Sequence, residues 1–129
     1  MADPAFLLDT NILIYLLADQ SGPLRARVEQ CEPGALVTST LCVAEAAYGL
    51  RGNPRAERGL GRLLSVIAPL PFDLAAANRF PDIPFHRGRL DRFIGAHALS
   101  LELVIVTNNE RDFADIPGLK IENWTKVRS

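Results

Sequence analysis

Four carboxylates stand at the edges of apolar segments: Asp9 in FLLDTN, Glu45 in TLCVAEAAYG, Asp91 in GRLDRFIGAHA and Asp112 in VTNNERDF. Taken singly, most have an ordinary explanation. Asp9 can cap a helix, Asp112 can cap a turn, and an acid such as Asp91 in a first helical turn is favoured by the helix dipole. Glu45 fits less easily. Its helical neighbours three and four positions away are Leu41, Cys42, Tyr48 and Gly49, and a carboxylate on that face needs a partner or a task. Together the four suggest an acidic cluster assembled by folding. Neighbouring carboxylates repel, so some would hold protons unless a cation joined them. Oxygen donors select hard cations, Mg²⁺ or Mn²⁺.

The elements that must position these acids can be read from the apolar pattern. Residues 5–8 read as a short buried strand, followed by a helical pattern over 12–17 and, after a turn at 19–23, a short helix over 24–30. Residues 35–37 form a second strand, with Thr38 or Ser39 capping a helix over 41–50. Pro54 opens a helix to about residue 65, and 66–70 reads as a third strand. Residues 73–79 look helical, 80–88 a Pro-rich loop, 90–101 a strong helix and 103–106 the clearest strand. A turn or short helix at 108–112 and a turn at Pro117-Gly118 lead to a last strand over 119–122. Strands alternating with helices predict an α/β fold, a parallel sheet covered on both faces. In such sheets ligands bind beyond the carboxyl ends of the strands, where Asp9, Thr107 and Asp112 would lie.

Composition sets the frame. The chain has 129 residues, 48% of them hydrophobic and 22% charged, which favours one domain spanning 1–129 and a substantial core. No apolar run nears the ~18 residues of a membrane span, and the N-terminus lacks the basic region of a signal peptide. The two cysteines, Cys31 and Cys42, have no metal-type spacing and read as free thiols in a reducing, cytoplasmic setting. Net charge is −1, so bulk charge decides nothing about nucleic acid. Twelve of the fourteen basic residues are Arg, whose planar fork suits phosphate. Arg55, Arg58 and Arg62 form one helical stripe, read first as a solvated face and alternatively as phosphate-facing. Arg87, Arg89 and Arg92 bracket Asp91 and are candidate contacts for a phosphate backbone that approaches the acidic site. His97, among Phe93, Ile94 and Leu101, reads as structural, and nothing is assigned to His86.

Taken together, the segments resemble a PIN-domain ribonuclease, and within that family a VapC-type toxin of a bacterial toxin–antitoxin pair. LLDTNILIYLL resembles the first motif of the family, VTSTLCVAEAAYGL the second, and LDRFIGAHALSLELVIVTNNERDFADIPGLKIENW the third and fourth with the closing strand. The resemblance covers almost the whole chain, with the acids in the family's order. It implies a three-layer α/β/α PIN-like fold around a short parallel sheet of about four or five strands. It further implies metal-dependent hydrolysis of a structured RNA such as transfer or ribosomal RNA. Asp9, Glu45, Asp91 and Asp112 would be the catalytic metal ligands for Mg²⁺ or Mn²⁺, and Thr107 and Asn109 accessory polar groups. The implied partners are RNA, a VapB-type antitoxin offering a basic side chain to the acid pocket, and a second copy of the chain in a homodimer that forms a larger complex with the antitoxin. Two departures stand out. The stretch NRFPDIPFHRGR before Asp91 is short and Pro-rich, and Asn109 stands two residues after the threonine, where many members carry the fourth acid.

Other readings of the acids fare worse. A non-catalytic PIN-like RNA-binding or interaction module would need a lost acid, and none is clearly lost. A receiver-like signalling domain wants an acidic pair after the first strand and a lysine after the last, and neither Lys120 nor Lys126 suits. A haloacid-type phosphatase needs a second aspartate two residues after Asp9, where Asn11 stands.

Overall fold

The computed structural model describes residues 2–84 and 89–127. Its centre is a sheet of five parallel strands: β1 (Phe6–Leu8), β2 (Leu36–Ser39), β3 (Ala68–Leu70), β4 (Val104–Val106) and β5 (Ile121–Glu122), in spatial order β3-β2-β1-β4-β5. The helices are α1 (Thr10–Ala18), α2 (Gly22–Glu29), α3 (Thr40–Leu50), α4 (Pro54–Leu63), α5 (Leu74–Arg79) and α6 (Asp91–Leu101). Short 3₁₀ turns cover Phe80–Asp82 and Glu110–Asp112. The expected three-layer α/β/α arrangement is present.

The strands form where apolar runs can be buried on both faces, as parallel strands require. Leu7, Leu8, Ile105 and Val106 are fully buried, as Val37 nearly is. The third strand is shorter than the 66–70 expected. Ile67 N–H still donates to Leu63 O, so the chain leaves α4 through a further turn before it extends. Pro69 fits there because β3 is an edge strand, where a missing N–H costs no ladder bond. Side chains of Asp9, Ser21, Ser39, Asn53 and Asp73 cap the starts of α1 to α5. Helix α6 has no side-chain cap and begins with Asp91 itself.

The strand order puts a switch point between β1 and β4. After β1 the chain moves outward through β2 and β3, then returns to place β4 on the other side of β1. Leu8 lies in register with Thr38 and Val106, so Asp9, Ser39 and Thr107 share the carboxyl edge. This is where a parallel sheet opens a crevice.

The last strand is held by a closed set of contacts. Trp124 is buried, edge-on to Phe6 with ring centroids 4.8 Å apart. Its indole N–H donates to Glu122 Oε1 at 2.8 Å, and the same oxygen pairs with Arg27, whose guanidinium lies over the indole. Trp124→Ala should therefore lower unfolding free energy by roughly 3–5 kcal/mol, the usual result of emptying so large a buried site. Urea denaturation would measure it, and a loss below about 1 kcal/mol would contradict this role of Trp124 in holding β5.

Candidate active site

Each acid reaches the crevice by a different route. Asp9 follows β1 directly, within the buried run from Leu7 to Thr10. Its Oδ1 accepts from Thr10 N–H at 2.7 Å, which caps α1, and its Oδ2 accepts from the Thr107 hydroxyl at 2.9 Å. Glu45 lies on α3, and its Oε1 accepts from the Thr10 hydroxyl at 2.6 Å. Asp91 opens α6, and Asp112 closes the 3₁₀ turn after β4. All four border one cleft of about 300 Å³, together with Thr10, Asn11 and Arg89. A larger, mainly apolar cleft of about 750 Å³, lined by Leu16, Val28, Leu63 and Ile67 among others, contains none of these acids. Size does not mark the chemistry here; the convergence of acids does.

The electrostatics follow from collecting like charges. Burial pushes the Asp9 carboxyl up from its ordinary 3.8 to about 6. The Thr10 and Thr107 donors oppose that rise, while the nearby Glu45 and Asp91 charges add to it. Arg89 answers part of the negative charge. Its Nε and Nη2 donate to the two oxygens of Asp91 at 2.8 and 2.7 Å, and Nη2 also lies 2.9 Å from Asp112 Oδ1. The fork-on-carboxylate geometry is the strong form of this interaction. Asp91 holds the Arg89 guanidinium more firmly protonated.

Thr107 and Asn109, expected as accessory groups, each bond one of the acids. Thr107 is fully buried, and besides bonding Asp9 it accepts from Asn109 N–H at 3.0 Å. The Asn109 side-chain amide donates to Asp112 Oδ2. His97 belongs to the core: its Nδ1 lies 2.8 Å from the Ser39 hydroxyl that caps α3, and burial lowers its pKa. The stripe Arg55, Arg58 and Arg62 is solvent-exposed on α4.

One expected role is overturned. Arg92 was a candidate RNA contact beside Arg89, yet only 1% of it is exposed. Its guanidinium points inward, to Asp115, the Pro84 carbonyl, Asp91 and the backbone carbonyl of Asp112. The cause is its helical phase: three and four residues on stand Gly95 and Ala96, the small, close-packed face of α6. That spacing was the signal available beforehand. Arg87, the third candidate of that group, and His86 lie outside the described residues. Thr10 was the residue passed over. Its backbone N–H bonds Asp9 and its hydroxyl bonds Glu45, and only the packing of α1 on α3 brings the second contact about.

The donor set fits a hard divalent cation, since every group facing the cleft that could bind one does so through oxygen. Among the described residues no three His, Cys, Asp or Glu side chains close on a single point, because Thr10 and Arg89 engage three of the acids.

Comparison with known proteins adds a second, independent line. The family profile described as PIN domain matches residues 6–119. The chain is 33% identical to the tRNA(fMet)-specific endonuclease VapC of Shigella flexneri, over 93% of this chain and 98% of that protein. Among solved structures it is similar to DNA-bound VapBC from Salmonella typhimurium, at TM-score 0.79 and 31% identity over 94% of this chain and 98% of that one. The fold also matches VapBC2 from Rickettsia felis bound to a promoter DNA fragment, at TM-score 0.83 and 24% identity over 93% and 98% of the two chains.

The raised Asp9 pKa has a checkable consequence for the metal-free protein. A carboxyl with a higher pKa folded than unfolded binds its proton more tightly when folded. Its contribution to stability is complete below about pH 4 and is lost as pH rises through about 6. Asp9→Asn should therefore raise stability in EDTA at pH 7.5, by roughly 2–3 kcal/mol if nothing else relaxes, and much less at pH 4. Equal effects of the substitution at both pH values, by urea denaturation, would show that Asp9 does not carry this shift.

Proposed function

The chain belongs to the PIN-domain family, and from that premise we propose that it is a metal-dependent endoribonuclease, the toxin of a toxin–antitoxin pair. The observation that carries this reading is the meeting of Asp9, Glu45, Asp91 and Asp112, from four separate segments, in one cleft at the carboxyl edge of β1 and β4. The relative from Shigella flexneri named for cleaving tRNA(fMet) supports a structured RNA as substrate. The family's other expected substrate, ribosomal RNA, is the further possibility that product mapping would reveal.

In this reading Asp9, Glu45 and Asp91 hold Mg²⁺ or Mn²⁺, with Asp112 completing the site. A bound divalent cation supplies positive charge for the scissile phosphate and lowers the pKa of water. The chain's own groups orient the acids. Thr10 fixes one oxygen of Glu45, Thr107 fixes Asp9, and Asn109 steers Asp112. Without a cation the cleft would repel RNA, so charge reversal is what admits the phosphodiester. Arg89 is partly exposed at the cleft's rim and belongs to the same balance. Released from Asp91 and Asp112, its guanidinium is free to meet an RNA phosphate.

The partner follows from the same chemistry. A VapB-type antitoxin with a basic side chain in the acid cleft would block substrate and metal together. The solved VapBC complexes similar to this chain support such a partner. The mainly apolar 750 Å³ cleft offers surface for its apolar side chains. A homodimer, assembled further with antitoxin, and a cytoplasmic location complete the proposal. Among the described residues no helix is long and apolar enough to cross a membrane.

A non-catalytic binding module is the competing reading, and activity separates the two. Purified, antitoxin-free protein should cut total cellular RNA into discrete products with Mg²⁺ or Mn²⁺ and not with EDTA. Asp91→Asn should lower cleavage by a hundredfold or more, on the order of the loss of one electrostatic stabiliser at a reacting centre. RNA bound but intact, whatever the metal or chelator, would favour the module. Arg89→Gln, which removes the exposed cation from Asp91 and Asp112, should lower the metal concentration giving half-maximal cleavage several-fold while weakening RNA binding. A higher metal requirement would show that Arg89 assists the acids and does not compete for them.

A further inference from the structure

We propose that Arg92 is the positioning residue of the acid cleft: it ties Asp91 and the turn carrying Asp112 into one rigid frame, and so sets the spacing at which they meet a cation. The inference rests on the metal reading above.

Asp112 needs such an anchor. It stands six residues beyond the end of β4, in a 3₁₀ turn with no sheet ladder to hold it. Its side chain is met by Asn109 and by Arg89, which lines the cleft. From beneath, Arg92 Nη2 donates to the Asp112 backbone carbonyl and lies 3.4 Å from Asp91 Oδ2. One nitrogen thus joins the first residue of α6 to the last residue of the 3₁₀ turn. The other terminal nitrogen, Nη1, lies 3.0 and 3.2 Å from the two oxygens of Asp115 and 3.4 Å from the Pro84 carbonyl. The fork is therefore clamped on both sides.

Stability alone is a poor reason for this arrangement. An arginine 1% exposed loses its hydration, and among the described residues its buried Nε donates to nothing. Buried ion pairs of this kind are often replaced by apolar side chains with no loss of stability. What an apolar side chain could not do is hold a backbone carbonyl and a cleft carboxylate at fixed separation. Groups that orient the ligands of a metal site typically change metal affinity or activity by about 10–100-fold when altered.

The test compares wild type with Arg92→Lys and Asp115→Asn, free of RNA and antitoxin. Lysine keeps the charge and loses the fork; Asp115→Asn weakens one clamp at a residue that does not line the cleft. Leu24→Ala, in the core at α2, serves as a destabilised control. Mn²⁺ affinity would be measured by calorimetry and by the Mn²⁺ paramagnetic resonance signal, and amide exchange would be followed over residues 110–116. Arg92→Lys should bind Mn²⁺ about tenfold or more weakly, Asp115→Asn less severely, and both should exchange faster over 110–116. The control should melt earlier with Mn²⁺ affinity unchanged. Wild-type affinity in Arg92→Lys, or in Asp115→Asn should the lysine variant not fold, overturns the inference. Wild-type protein that binds no Mn²⁺ overturns the metal reading instead; unchanged exchange over 110–116 then overturns the positioning role as well.

Discussion

Four like charges cannot share a small cleft without something to hold them there, and much of this structure is arranged around that constraint. Asp9 is the most deeply placed, and two donors that belong to the fold itself, the first amide of α1 and the hydroxyl that ends β4, keep it in position. Glu45 leans on Thr10. Asp91 and Asp112 share Arg89 above and Arg92 below. The two arginines differ in kind. Arg89 is partly exposed at the rim of the cleft. Arg92, buried, cannot leave without uncovering the carboxylates and carbonyls it serves.

The parallel sheet supplies the rigid part. Strand β1 lies between β2 and β4, so the residues just after each of these strands gather at one edge, and the return of the chain across β1 opens a crevice there. Asp9 and Thr107 are neighbours because β1 and β4 are in register, not because either residue seeks the other. The remaining acids stand on helices and turns docked against that edge. Their spacing depends on side-chain contacts, which is why the arginines matter most at the Asp91–Asp112 half of the cleft.

Arg92 shows how a local reading of charge can mislead. Beside Arg89 and close to Asp91, it looked like part of a basic rim. Its helical phase over Gly95 and Ala96 sends it instead into the closest-packed part of α6, where a Cβ added at Gly95 would meet Ile116 at 2.5 Å. A charge on an exposed stripe and a charge on a small-residue stripe look alike until phase is counted. Thr10 escaped notice for the opposite reason: a threonine after a capping aspartate is unremarkable, and its bond to a glutamate thirty-five residues away comes from helix packing alone.

Most of the elements, and the four acids as candidates, were legible in the sequence by itself. Short apolar runs between capping residues can only be buried strands and amphipathic helices, and a carboxylate at the end of such a run needs a partner or a task. The same residues carried the resemblance to the PIN-domain family. Only the tertiary structure decided that Thr10 joins Asp9 to Glu45 and that Asp112 is held through its backbone. Those outcomes depend on the docking of α1, α3, α6 and the turn after β4 against one sheet edge. Contacts between distant segments have no local period, so no pattern along the chain records them.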